Sequence, residues 1–227
     1  MPDDQSLQKN KTQHLPPILE WIESTELSEI VTNLLEATID IFHEDGLIRD
    51  LPIAGTILKT LQLSGRIRDY LFLRKTGYFL YEIQSIPQEK RQRFLARIEA
   101  SQKAQNRIGE NLILLLERQD AMQKASMLGL VYKAFMEEKI SKIELEQLSI
   151  AIDRLKISDI ISLVNFYTNP SQGQTAEETF EKQNQLFPLA VTGLVDQRIG
   201  YFDYPYKPNN LGKLFLEIVH PENFVNH

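Results

Sequence analysis

From Ser28 to Tyr167 the apolar residues recur at intervals of three and four positions, in run after run. That spacing places them on one face of an α-helix and cannot line one face of a strand, so it commits this part of the chain to helices. "SEIVTNLLEATIDIF" sets Ile30, Val31, Leu34, Leu35, Ile39, Ile41 and Phe42 largely on one side, and "HEDG" ends the run in a turn. After Pro52, Ile53, Ile57, Leu58 and Leu61 line a short helix, which Ser64-Gly65 breaks before a second helix from about Arg66 to Ile83.

Start signals punctuate the pattern. Ser85-Ile86-Pro87-Gln88 has capping-box spacing with proline in the first turn, opening "QEKRQRFLARIEA". Ser141-Lys142-Ile143-Glu144 opens "IELEQLSIAIDRL", whose apolar residues are Ile143, Leu145, Leu148, Ile152 and Leu155; Ser158 is expected to cap "DIISLVNFY". The stretch between them, 107–139, reads as two helices meeting near Asp120 or one running through it. Asp120 and Lys124 are spaced as a surface ion pair with the acid first.

The character changes after Tyr167. "TNPSQGQ" is a linker signal, and Thr175 restarts a helix with a third capping box. A strand-like run at Leu194–Val195, an aromatic run to Tyr206, and Asn209-Asn210 before a last apolar helix together outline helix, hairpin, helix. The expected fold is therefore mainly α: a multi-helix bundle with a small C-terminal β-hairpin, a winged-helix-like end or a ribbon stapled to the helical body. The expected organisation is a loose N-terminal tail at 1–15, a helical domain at 16–167, a linker at 168–174 and a winged-helix-like part at 175–227.

Charge narrows the partners. Residues 1–50 carry a balance of −8 and residues 51–100 one of +5, inside a total of −6. Either an acidic helix packs beside a basic one, or the basic segment meets an anionic partner. The stretch "LPIAGTILKTLQLSGRIRDYLFLRKTGYFLYEI" starts apolar, but Lys59, Arg66, Arg68, Arg74 and Lys75 interrupt it too soon for a membrane span. Arg66, Arg68, Arg74 and Lys75 are the candidate contact residues, for a protein partner, self-association or an anionic membrane surface. The C-terminal part from Thr175 has a balance of −3, the wrong sign for reading DNA, so nucleic acid is the alternative partner only.

No phosphate loop, dinucleotide fingerprint, nucleophile elbow, zinc-protease motif or EF-hand is present, and no catalytic residue, cofactor or metal site is expected. His43-Glu44-Asp45 are adjacent residues that point apart at a helix end rather than a ligand set. Without cysteine there is no disulfide or thiolate chemistry. With acids where a signal peptide needs bases, the expected location is the cytoplasm, including the inner face of a membrane.

The segment "KASMLGLVYKAFMEEKISKIELEQLSIAIDRLKISDIISL", 124–163, resembles the helical module of TerB-like tellurite-resistance proteins. The matching positions are Ala134, Ile140, Glu144, Leu148 and Ser158-Asp159, on an apolar helix, an acidic turn, a capped helix and a short following helix. The family's turn carries an Asp-Gly pair where this chain has Met136-Glu137-Glu138-Lys139, so metal binding does not carry over. The whole layout is also similar to bacterial abortive-infection proteins of the alpha type. Both resemblances imply an accessory protein of anti-phage defence or stress response and neither supplies a mechanism; the expected role is a non-enzymatic interaction protein.

Overall fold

A computed structural model describes residues 67–98, 111–168, 186–197 and 206–224. The first helical run, the short helix after Pro52, His43-Glu44-Asp45 and the linker at 169–174 with the capping box at Thr175 lie outside the described residues. Those that are described form eight α-helices and one two-stranded antiparallel hairpin. The order is α1 (Ile67–Ile83), α2 (Gln88–Ile98), α3 (111–118), α4 (Met122–Met136), α5 (Lys142–Arg154), a 3-10 turn (Ile157–Asp159), α6 (Ile160–Thr168) and α7 (186–192). Then come β1 (Val195–Gln197), β2 (Tyr206–Pro208), α8 (Asn210–Val219) and a closing 3-10 turn (Pro221–Phe224).

The bundle is organised around α4. Its sequence, "MQKASMLGLVYKAFM", is apolar or small almost all the way round, which suits a helix covered on every side. Ten of its residues are buried, and α1, α2, α5 and α8 all pack against it. The α1–α4 contact is the most extensive. Gly129 makes it possible: a Cβ there would lie 2.7 Å from the Phe79 carbonyl oxygen and 2.8 Å from Glu82 Cβ. Beside it, Phe79 and Tyr132 meet edge to face at 5.4 Å, and Phe94 of α2 does the same with Phe135 at 5.7 Å. Phe79 of α1, Phe94 of α2 and Phe215 of α8 are the largest fully buried side chains, from three of the four flanking helices.

The joint between α4 and α5 is built from backbone geometry. Glu137 caps α4, Glu138 stands in the left-handed region at φ 63°, the Glu138 amide donates to the Phe135 carbonyl, and the Lys139 amide donates to Ala134 at 2.9 Å. This is a Schellman turn with glutamate where glycine is usual. Ser141 then opens α5 with a complete capping box: its hydroxyl accepts from the Glu144 amide, and Glu144 takes the Ser141 amide at 2.7 Å. Relieving the strain should show directly. Glu138→Gly is expected to raise stability by about 0.5–1 kcal/mol in urea denaturation, and Glu138→Ala to give no gain.

Two start signals act differently from the sequence expectation. Ser85 leaves the α2 amides alone; its hydroxyl donates to the Glu82 carbonyl and accepts from Lys133 at 2.7 Å. Ser158 donates to the Asp159 carboxylate inside the 3-10 turn rather than capping α6. In both cases a closer acceptor within the preceding turn takes the hydroxyl.

The hairpin pairs Val195 with Pro208, Asp196 with Lys207 and Gln197 with Tyr206. It is stapled to the helical body by Tyr167 near the end of α6, whose hydroxyl donates to the Leu194 carbonyl at 2.6 Å and accepts from the Asn209 amide at 3.1 Å. Asn209 caps α8 through the Gly212 amide and donates to Gly193 and Asp196 at 2.9 Å each. α8 then packs on α4 and α5, and the closing turn on α6. Among the described residues no helix is long and apolar enough to cross a membrane.

Candidate functional site

Of the candidate contact residues, Arg66 lies outside the described residues and Arg68 is placed only as a backbone position on α1. Arg74 is half-buried. Lys75 is turned onto the protein itself: its ammonium donates to the Glu117 carbonyl at 3.0 Å, at the last turn of α3. A cation at a helix C-terminus meets the negative end of the helix dipole. Other bases of the segment are used the same way. Arg91 is buried and donates to the Ile86 carbonyl at 3.2 Å, Lys90 pairs with Glu137 at 3.5 Å, and Arg93 pairs with Glu89 on its own helix.

The Asp120–Lys124 pair forms at 2.8 Å, but only its acid lies at the surface. Lys124 is only 3% exposed, because α4 begins at Met122 and turns that position inward. Its ammonium also donates to the Asp153 carbonyl at 3.2 Å, and Asp153 takes the Arg118 guanidinium. The hydrogen bond from Lys124 holds the Asp120 carboxyl below its ordinary value. Four charges thus lock the ends of α3, α4 and α5 together.

A second cluster joins α1, α2 and α4. Burial pushes the Glu82 carboxyl up, against the charge of Lys133 and a hydrogen bond from Ser126. At Glu137 burial also pushes upward, but the hydrogen bond and charge of Lys139, with Lys90 and Lys133, outweigh it and leave the carboxyl below its ordinary value. A lowered folded value stabilises the protein above the unfolded carboxylate range, and that stabilisation is lost as pH falls on through the folded value. Glu137→Gln should therefore cost about 1 kcal/mol at neutral pH. In urea titrations from neutral to acid, the gap between wild type and variant should close.

The clearest feature open to solvent is apolar. On α5, Leu145, Leu148 and Ile152 are buried, while Ile143 is 68% and Ile150 is 49% exposed. The exposed pair stands seven residues apart, two turns along one face of α5. One turn beyond Ile150, Arg154 donates to the Val191 carbonyl at 3.3 Å, which sets α7 beside this face. Val191 is 55% and Phe187 is 57% exposed, four residues apart on α7. Ile143 and Ile150 thus line one exposed face of α5, Val191 and Phe187 are exposed on α7, and the Arg154 hydrogen bond joins the two helices. Lys142 and Glu146, a long ion pair at 3.7 Å, stand at the Ile143 end of α5.

Sequence reasoning missed this exposed face, since it named Ile143 with Leu145, Leu148, Ile152 and Leu155 as the apolar residues of α5 without separating their faces, and passed over Ile150. The signal was there: apolar positions on two opposite faces of one helix, more than a single core contact needs. Among the described residues no group of three or more His, Cys, Asp or Glu side chains is placed to hold a metal ion. The chain matches no protein-family model, no curated protein and no solved structure.

Proposed function

We propose that this chain is a non-enzymatic interaction protein of bacterial anti-phage defence or stress response, and that it acts by docking a protein partner. The exposed apolar residues Ile143 and Ile150 of α5, with Phe187 and Val191 on α7, carry the reading, because all four large side chains stay about half exposed or more and Arg154 ties the two helices together. A single apolar residue on a surface is ordinary, whereas large apolar residues repeated along one helix face suit a partner that covers that face. The defence setting comes from the resemblance of residues 124–163 to the TerB-like module. This apolar face is a better contact surface than the basic residues of α1, since Lys75 is engaged at the end of α3.

The test compares affinity capture from bacterial cells by the wild type and by Phe187→Glu/Val191→Glu. A partner held by the wild type and lost by the variant, at an unchanged melting temperature, supports the reading. Identical recovery of every protein by both overturns it. Flotation with anionic vesicles provides the contrast: salt-sensitive binding that Arg68→Glu/Arg74→Glu abolishes would move the contact to α1.

A further inference from the structure

We infer that the occupant of the exposed α5 face is a second copy of this chain, packed with its α5 antiparallel across a two-fold axis at Ile150. The inference rests on the docking reading above and names the partner. Its basis is charge complementarity along α5. Glu146 lies one turn before Ile150 and Arg154 one turn after it, both exposed and on the same side of the helix as Ile150. An antiparallel pair reverses the order of residues about its centre. Centred on Ile150, it sets Glu146 of each copy level with Arg154 of the other, so one pairing yields two opposite-charge contacts. A parallel pair would instead align Glu146 with Glu146 and Arg154 with Arg154.

The apolar residues obey the same symmetry. Ile150 meets its counterpart on the axis, and Ile143 lies on the same face two turns away, where it extends the seam. Val191 and Phe187 widen the contact from α7, which Arg154 holds at the edge of α5. A single helix of thirteen residues is a small interface, so α7 of each copy is needed to approach the area that a specific dimer buries.

Sedimentation velocity on the full chain, from about 1 to about 200 µM, tests this. The wild type is expected to shift from monomer to dimer across that range, and Ile150→Asp to stay monomeric with unchanged circular dichroism. Glu146→Arg and Arg154→Glu are each expected to weaken self-association about tenfold or more, and the double exchange to restore it to within about threefold. Residues 146 and 154 are eight apart on one helix, too far to pair with each other, so the rescue reports contact between copies. It also separates that contact from the bond between Arg154 and Val191, which the double exchange does not restore. Single exchanges without effect, or a double exchange that stays weak, overturn the inference. So does a wild type that remains monomeric throughout. If that monomer still loses a captured partner on Phe187→Glu/Val191→Glu, the docking reading survives with a different occupant; if it does not, both fail.

Discussion

Replacing Gly129 with valine is expected to destabilise the protein by about 3 kcal/mol or more, and with alanine by about 2 kcal/mol. Alanine favours the helix by about 1 kcal/mol over glycine, so at an unencumbered site the sign would be reversed. At Gly129 the first atom of any side chain meets the Phe79 carbonyl oxygen, which is main chain and cannot rotate away, and the Cβ of Glu82. α1 and α4 would have to separate. That would loosen the edge-to-face contact of Phe79 with Tyr132 and the buried surroundings of Glu82. In a domain of this size the alanine variant should melt several degrees lower, about 2–4 °C for each kcal/mol. An unchanged midpoint in thermal and urea denaturation would show that the two helices are not held at this distance in solution.

The second large effect is expected at Tyr167. Tyr167→Phe keeps the ring and removes the hydroxyl that donates to the Leu194 carbonyl and accepts from the Asn209 amide. Each main-chain group left without a partner costs about 1–3 kcal/mol, and because both are only partly buried the expected loss is at the lower end, about 2 kcal/mol in all. Gly212→Ala strikes the same place, since its Cβ would collide with the Tyr167 hydroxyl and the Leu194 carbonyl. The two substitutions share a partner and should not add. The double variant is expected to lie well short of the sum, because the displaced hydroxyl can be lost only once. Amide exchange at Asn209 should rise in either single variant while that of α4 stays slow.

The helical class and the two strands were legible because each rests on a local rule. α5 begins where Ser141 and Glu144 say it does, and α8 begins at Asn209 for the same reason. The hairpin follows the strand signal at Leu194–Val195. What escaped the sequence reading depends on the neighbours of a residue. Lys124 looks like a surface lysine by its spacing to Asp120, and only the packing of α5 against α4 reveals that its ammonium is enclosed by Asp120 and Asp153. Ile143 and Ile150 stand by their period opposite Leu145, Leu148 and Ile152, and only the position of α4 shows which of these two apolar faces of α5 is left in water. Lys75 has the same character as its basic neighbours in the sequence, and it is the end of α3 that turns it inward.

The pairing of α1 with α4 carries a consequence for the order in which the chain assembles. Lys75 acts on Asp120, Phe79 touches Tyr132 and Lys133 reaches Ser85, so the two helices run in the same general direction with α2 and α3 between them in sequence. Bringing them together closes a long loop before any contact repays the lost chain entropy. The hairpin of α4 and α5 closes over residues 137–141 alone. It is therefore expected to form early, with α1 docking late onto a preformed α4. Substitutions at Leu148 in the α4–α5 core should then slow folding, while those at Gly129 should mainly speed unfolding, a difference that stopped-flow kinetics would resolve.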